Sequence, residues 1–264
     1  MKKNLISLLL SLVVFSGLVS TSFAGSKKSA EKLRIGVEGA YPPFSEVDKD
    51  GKMKGFDIDI SYALCKEMGS ECELVKQDWD GIIPALLAKK YDAIVASMSI
   101  TAEREKKVSF TKKYYATPAK FVRKKGSGIE INKASLKGKT VGIQRGTIHD
   151  KYLTAVYGKD VTIKRYGKQD EAYLDMKAGR IDLLMADSLA LSDGFLKKAG
   201  GDAYEFVGPD LTDQKYLGKG IGIAIRKEDT ALVEKFNKAI DAIRSNGTYD
   251  TIRKKYFDFD IYGK

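Results

Sequence analysis

The sequence predicts an α/β protein built as two lobes with a ligand cleft between them. Short apolar runs rich in Val and Ile alternate with helix-like segments along the chain, a pattern typical of βαβ units in a mostly parallel sheet. The second half repeats the alternation of the first, and the connections are short. Two such lobes leave a crevice between them, and open α/β sheets bind ligands beyond the carboxyl ends of their strands.

The first half supplies the elements of one lobe. We predict strands at 32–37, 72–76 and 91–98, and helices at 56–68, 80–89 and 101–107. Asp57, Asp80 and Thr101 are candidate N-caps, because short polar side chains accept hydrogen bonds from the free N–H groups of a first turn. Pro84 falls in a first turn, where its missing N–H does little harm. Gly69 follows the first helix as a stop signal.

The second half repeats this order. We predict strands at 140–144, 161–166, 181–185, 204–207 and 221–226, and helices at 147–157, 169–178, 188–198, 230–245 and 249–256. The segment 230–245 is the clearest amphipathic helix, because its apolar residues recur at helical spacing. These residues are Leu232, Val233, Phe236, Ala239, Ile240 and Ile243.

Residues 1–24 have the pattern of a secretory signal peptide. Lys2 and Lys3 precede the apolar run 5–19, and the small residues of SFA (22–24) suit cleavage after Ala24. The run is shorter than the roughly 20 residues that a helix needs to span a bilayer, so a membrane anchor is the less favoured alternative. We therefore predict export to the periplasm.

The composition argues against several classes of site. The chain has 46 Lys and Arg against 35 Asp and Glu, a net charge of +11 that falls to +9 once the signal peptide removes two lysines. One His and two Cys cannot form a multi-histidine or four-cysteine site, and we predict no metal and no cofactor. The basic clusters are short, scattered and without an aromatic stacking run, which favours a solvated surface over nucleic-acid binding.

Cys65 and Cys72 lie seven positions apart in LCKEMGSEC. An even pair within one compact segment of an exported protein indicates a disulfide, which would tie the end of a helix to the next strand. Two buried free thiols are the alternative.

Several polar residues follow the ends of predicted strands. They are Glu38 to Tyr41, Ser97 to Ser99, Arg145 to Thr147, and Asp187. Because ligands bind beyond the carboxyl ends of such strands, these four groups are the first candidates for a site.

Three segments carry a specific resemblance to a known family. They are GFDIDISYALCKEMG (55–69), DWDGIIPALLAKKYDAIVASMSITAER (78–104) and NGTYDTIRKKYFDFDIYG (246–263). They resemble the periplasmic solute-binding proteins of polar amino-acid ABC transporters, above all the lysine/arginine/ornithine- and histidine-binding subgroup, with the opine-binding proteins next. The resemblance covers nearly all of 30–264, the cysteine pair included.

The resemblance implies the two-lobed fold of type II periplasmic binding proteins. Lobe 1 would be 25–115 plus 221–264, and lobe 2 would be 120–211. Hinges would fall at 116–119 and 212–220, and the ligand would be held as the lobes close.

An α-amino acid carries a carboxylate and an ammonium group on one carbon, so its site needs donors for the first and acceptors for the second. The resemblance implies that Arg104 clamps the carboxylate through its planar fork, beside the helix start at Thr147. It implies that Asp187 pairs with the ammonium group, and that Ser97 and Ser99 offer amides and hydroxyls. A solvated Arg, N-caps at Thr147 and Asp187, and locally bonded hydroxyls are the structural alternatives.

The resemblance also places residues around the ligand's side chain. Tyr41 and Trp79 would sandwich it, with core packing as the alternative. Glu38 stands where the subgroup carries an Asp that meets the distal cation, and it is one methylene longer. Ala96 replaces a common Ser, and Gln144 begins QRGTIHD, which departs from the commoner QGST-type loop. Both belong to the expected binding set.

Three further residues are candidates for the edge of the site. Asp57 would support the pocket indirectly. Arg145, if it points inward, would oppose a cationic side chain and suit the extra carboxylate of an opine. His149 could reach the outer pocket, but we favour a surface position on its helix.

These residues predict a binding protein that captures a polar, basic L-amino acid: arginine, lysine, ornithine or histidine. It would deliver the amino acid to a membrane ABC permease, act as a monomer, and make or break no bond. Opine binding is one alternative. The other is an enzyme resembling cyclohexadienyl dehydratases, in which Asp187 or Glu38 would be the catalytic acid.

Overall fold

A computed structural model describes residues 31–263 of the chain. Its strands are β1 (Lys32–Val37), β2 (Ala40–Tyr41), β3 (Ser45–Val47), β4 (Met53–Lys54), β5 (Glu71–Lys76), β6 (Ala93–Ile94), β7 (Ser109–Tyr115), β8 (Ala119–Lys124), β9 (Thr140–Gln144), β10 (Thr162–Tyr166), β11 (Leu183–Asp187), β12 (Tyr204–Leu211) and β13 (Ile221–Ile225). Its α-helices are α1 (Phe56–Glu67), α2 (Ile82–Leu87), α3 (Ala102–Glu105), α4 (Lys133–Leu136), α5 (Ile148–Tyr157), α6 (Gln169–Lys177), α7 (Ser188–Leu191), α8 (Gln214–Leu217), α9 (Thr230–Ser245) and α10 (Thr248–Arg253). The signal-peptide prediction lies outside the described residues.

The strands form two large sheets and a small one, which confirms the predicted α/β class. The first sheet has the order β5-β1-β6-β13-β7 and the second has the order β10-β9-β11-β8-β12. The third, β2-β3-β4, is an antiparallel ribbon beside the first. Within 31–263 no helix combines the length and apolar character needed to cross a membrane.

The prediction of mostly parallel sheets is only half right. In the first sheet β1 is parallel to β5 and β6, but β13 is antiparallel to β6 and β7. The second sheet has the same mixture, with β8 antiparallel to β11 and β12. The chain enters β8 from the first sheet and β13 from the second sheet. Neither strand therefore follows a βαβ crossover within its own sheet, which would make it parallel to its neighbours.

The chain passes between the two large sheets twice. It leaves the first sheet after Tyr115 and enters the second at Ala119, and it returns between Leu211 and Ile221. The register pairs Ala119 with Asp187, so the end of β11 lies beside the first crossing. The lobe and hinge boundaries expected from the sequence stay a prediction, although Ala119 already belongs to β8.

Several elements confirm the sequence prediction to the residue. They are β1, β9 and α9, and the apolar face of α9 buries Phe236, Ala239, Ile240 and Ile243 in the core of the first lobe. Thr101 is an N-cap as predicted, since its side chain accepts from Arg104 N. Thr147 is also an N-cap, the structural alternative given for that residue, since its side chain accepts from Asp150 N.

Other predictions were wrong in detail. Asp57 is not an N-cap, because α1 begins at Phe56 with Gly55 in the cap position, which places Asp57 inside the first turn. Asp80 lies inside a 3-10 turn, Trp79–Gly81, that precedes α2. Of the predicted strand 91–98 only β6 joins the ladder, and the predicted helix 188–198 changes to one turn of π-helix after α7. The strands β7 and β8 were not predicted.

The predicted disulfide is present. Cys65 in α1 and Cys72 in β5 are joined with an S–S distance of 2.08 Å. The bridge therefore ties the last turns of a helix to the following strand, as the sequence indicated.

Candidate functional site

A cavity lies between the two large sheets, and the space within its lining, open solvent included, is about 310 Å³. Twelve side chains line it: Glu38, Tyr41, Trp79, Ala96, Ser97, Ser99, Arg104, Gln144, Thr147, Ile148, His149 and Asp187. All ten residues of the expected binding set are among them. Ile148 was missed by the sequence analysis, although its place directly after the predicted helix start at Thr147 was a signal for it.

Strand ends and helix starts from both lobes position these side chains. Glu38 follows β1, Ser97 and Ser99 follow β6, and Gln144 and Asp187 end β9 and β11. These are the carboxyl ends of two pairs of parallel strands, β1 with β6 and β9 with β11, and α/β sheets bind ligands at such ends.

Arg104 forms a cationic wall of the cavity. The side chain is buried, its Nη1 donates to Ser99 O at 2.9 Å, and its guanidinium carbon lies 5.2 Å from the centre of the Trp79 ring. Burial lowers the pKa of Arg104 to about 10, so the group stays charged at neutral pH. A guanidinium has five N–H donors, and a carboxylate that faces the remaining ones would satisfy and neutralise them.

The start of α5 adds a second attraction for anions. Thr147 Oγ1 donates to Gln144 O at 2.7 Å and accepts from Asp150 N at 3.2 Å. Gly146, at φ +69°, turns the chain from β9 into this cap. The first N–H groups of a helix carry partial positive charge, so this end of α5 favours a carboxylate in the same cavity as Arg104.

Asp187 forms an acidic wall. One oxygen, Oδ2, accepts from the Tyr41 hydroxyl at 2.7 Å, and the other, Oδ1, lies 3.7 Å from His149 Nε2. The side chains of His149 and Asp187 are 5% and 6% exposed, and His149 Nε2 has no hydrogen-bond partner among the described residues. The expected surface position of His149 is therefore wrong, because the first turn of α5 faces the other lobe.

Glu38 is a second buried acid, and Gln144 spans the cleft to reach it. Gln144 Nε2 donates to Glu38 Oε1 at 2.6 Å and to Gly167 O at 3.1 Å. Burial raises the pKa of Glu38 to about 7, and the hydrogen bond from Gln144 opposes that rise. A cation beside Glu38 would restore the ordinary ionisation of the carboxyl, so this part of the cavity favours a positively charged group.

Asp57 lies behind the cavity and holds Ser97. Ser97 has φ +50°, in the left-handed region that residues with a Cβ rarely adopt. Its N–H and hydroxyl both donate to Asp57 Oδ2, at 2.7 and 3.0 Å, while Tyr114 donates to Oδ1 at 2.8 Å. Tyr115 in turn donates to Ser97 Oγ at 2.7 Å. Both donors of Ser97 are therefore engaged, and towards the cavity this residue offers acceptors.

Arg145 does not line the cavity. Its side chain is 55% exposed and pairs with Asp80 of the other lobe at the outer rim. The condition under which Arg145 would oppose a cationic ligand or hold an opine carboxylate is not met. Among residues 31–263 there is also no group of three or more His, Cys, Asp or Glu side chains suited to a metal ion.

Comparisons with known proteins agree with this geometry. The sequence model of the bacterial extracellular solute-binding proteins, family 3, matches residues 33–259. The chain is 52% identical to the L-arginine-binding protein of Pseudomonas aeruginosa over 256 residues, 97% of each chain. It is 43% identical to the lysine/arginine/ornithine-binding periplasmic protein of Escherichia coli K12, over 96% of this chain and 98% of the relative.

A solved structure shares the fold. A Salmonella typhimurium periplasmic binding protein, studied for its high arginine specificity, superimposes with a TM-score of 0.80 at 37% identity. The match covers 86% of this chain and all of the other.

Proposed function

This chain belongs to the bacterial extracellular solute-binding proteins, family 3, and we propose that it captures a basic L-amino acid in the periplasm and delivers it to an ABC permease. The expected ligands are arginine, lysine, ornithine and histidine. In this proposal the protein acts as a monomer. A ligand that contacts both lobes favours the closed form over an open one, and no bond is made or broken.

The observation that carries the proposal is the distribution of charge in one cavity. Arg104 and the start of α5 supply donors for a carboxylate, and Asp187 supplies an acceptor for an ammonium group. Glu38 is an acid beyond those needed for the two backbone charges of an amino acid. A ligand with a second cation, on its side chain, therefore complements the site better than a neutral one.

The aromatic residues support the same choice. Tyr41 and Trp79 line the cavity with Glu38. Ring faces attract cations, more strongly when the pair is shielded from water. The two relatives point in this direction as well, since one is named for binding L-arginine and the other for binding lysine, arginine and ornithine.

Isothermal titration of ligand-stripped protein tests the proposal. The panel contains the common amino acids, ornithine, and the opines as a separate arm. We expect tight binding of one or more basic amino acids together with a rise in melting temperature, because a ligand bound to the folded form stabilises it. Arg104→Ala should abolish the heat signal. If no member of the panel gives either heat or a thermal shift, the proposed function is excluded.

A second candidate function is an enzyme with a catalytic acid in the cleft. It is favoured by one observation, the pKa of about 7 that burial gives Glu38, since a general acid works best near the ambient pH. Incubation with prephenate and arogenate, followed by absorbance of an aromatic product, separates the two functions. We expect no product.

A further inference from the structure

The outer rim of the cleft carries three ion pairs that join one lobe to the other. Asp80 pairs with Arg145, Glu103 pairs with Lys151, and Asp78 Oδ1 lies 3.7 Å from Lys168 Nζ. We call these six residues the rim pairs. None of them belongs to a sheet core, and all six side chains are between 38% and 68% exposed.

The rim pairs are sorted by sign. Every acid lies on the first lobe, next to Trp79 or in α3, and every base lies on the second lobe, after β9, after β10 or in α5. Each acid is therefore attracted by the bases of the other two pairs as well as by its own partner. In the pair in α3 and α5, Lys151 lowers the pKa of Glu103, first through its hydrogen bond and then through its charge.

Exposed ion pairs add little to the stability of a rigid lobe, because water and salt screen them in every state of the protein. The rim pairs differ in that lobe opening pulls the partners apart. At an ionic strength of 0.1 M the screening length is about 10 Å, so the attraction persists through the first part of the opening and disappears at high salt.

We propose that the rim pairs act together as a salt-sensitive latch that holds the lobes closed and sets the rate of ligand release. The identity of the released ligand rests on the proposed function, whereas the attraction between the lobes does not depend on it. It assigns a role to Arg145 that differs from ligand contact: this residue closes the site from outside.

The protein contains its own reporter. Trp79 is the single Trp of the chain, lines the cavity and lies between the acids of two rim pairs. Its fluorescence in stopped-flow experiments follows opening and ligand release. The test compares the wild type with Arg145→Glu/Lys151→Glu, which replaces two attractions by repulsions, and with Asp80→Arg/Arg145→Glu, which restores one pair in reversed order.

Lys112→Glu is the matched control. Lys112 and Asp241 form an ion pair of similar exposure, 39% and 57%, but both lie on the first lobe. Opening does not separate them, so this variant reverses one charge, as each substitution of the double variant does, without touching the latch.

We expect the wild type to release arginine several-fold faster at 1 M than at about 20 mM salt. At low salt, Arg145→Glu/Lys151→Glu should release arginine about tenfold faster than the wild type, because each of the two lost pairs changes the release rate about two- to fivefold. Its release rate should depend little on salt. The release rate of the reversed pair should lie within about threefold of the wild-type rate. Lys112→Glu should release arginine at the wild-type rate.

The latch would be overturned if the double variant released arginine with the rate and salt dependence of the wild type. It would also be overturned if the reversed pair released arginine as fast as the double variant. Measurements on the ligand-free protein distinguish failure of the latch from a wrong choice of ligand. Its radius of gyration, from X-ray scattering, should increase with salt in the wild type and be high at all salt concentrations in the double variant. Equal radii under all conditions would also overturn the latch, whichever ligand binds.

Discussion

The hydroxyl of Tyr41 donates a 2.7 Å hydrogen bond to Oδ2 of Asp187, from the first lobe to the second. The contact is reciprocal, because the backbone N–H of Asp187 reaches the same hydroxyl oxygen at 3.3 Å. Both residues are buried. One carboxylate oxygen is thus fixed across the cleft, and the other lies 3.7 Å from His149 Nε2.

We predict that Asp187→Asn lowers the affinity for a basic amino acid by about 10- to 150-fold. The substitution keeps the shape of the side chain but removes its charge, and a hydrogen bond to a charged group contributes about 1.5–3 kcal/mol. Tyr41→Phe removes only the orienting hydroxyl and should cost about two- to tenfold. Titration calorimetry measures both. An affinity of Asp187→Asn equal to that of Tyr41→Phe would contradict the ammonium assignment.

The buried carboxyl of Glu38 predicts a pH-dependent selectivity between arginine and its neutral isostere citrulline. In the closed cavity without a cation, burial raises the pKa of Glu38 to about 7, whereas in an open, hydrated cleft a Glu has an ordinary pKa near 4.3. A citrulline complex therefore binds a proton on closure. Its affinity is highest below about pH 4 and falls as the pH rises towards 7, by up to about tenfold per unit.

Arginine brings its own cation, which keeps Glu38 ionised in the complex, so its affinity should change little over the same interval. Selectivity for arginine over citrulline should consequently increase from pH 5 to pH 7. Calorimetry in buffers of different ionisation enthalpy detects the proton uptake with citrulline. Glu38→Gln is the control and should bind both ligands with flat pH profiles; a pH-dependent selectivity in this variant would assign the proton to another group.

The anchoring of Ser97 by Asp57 predicts that a residue outside the cavity controls affinity. Asp57→Ala removes the acceptor of two Ser97 donors and of the Tyr114 hydroxyl, and it should weaken ligand binding by about tenfold while lowering stability by about 1–3 kcal/mol. Ser97→Gly separates the backbone from the hydroxyl, because glycine adopts φ +50° without strain. It should keep the affinity within about threefold of the wild type. A large loss in Ser97→Gly would mean that the hydroxyl, not the backbone position, matters.

The site was predictable where one strand end was enough to place a residue. Glu38, Ser97 and Asp187 each follow an apolar run, and the structure brings all three to one cavity. The orientation of His149 and Arg145 was not, because it depends on which face of α5 and of the preceding loop meets the other lobe. That contact is tertiary and leaves no local pattern in the sequence.

The fold shows the same division. The helix α9 was predicted to the residue from its apolar face, but β7 and β8 were missed. Their sequences, SFTKKYY and AKFVRK, contain lysine and arginine at positions that point to solvent or only partly inward. The strands owe their existence to neighbours supplied by distant segments, β13 for β7 and β11 with β12 for β8. Strand propensity read locally does not contain that information.

The disulfide predicts a loss of stability without a loss of binding. Cys65 and Cys72 close a loop of seven positions at the far end of α1, and for a loop of this size the chain-entropy model gives about 2.5 kcal/mol. Cys65→Ala/Cys72→Ala should lower the free energy of unfolding by about this amount, measured by urea denaturation, and reduction of the wild type should have a similar effect. Neither cysteine lines the cavity, so the affinity of the folded variant should equal that of the wild type. A weakened affinity would show that the bridge also restrains Asp57 and Ser97 through α1.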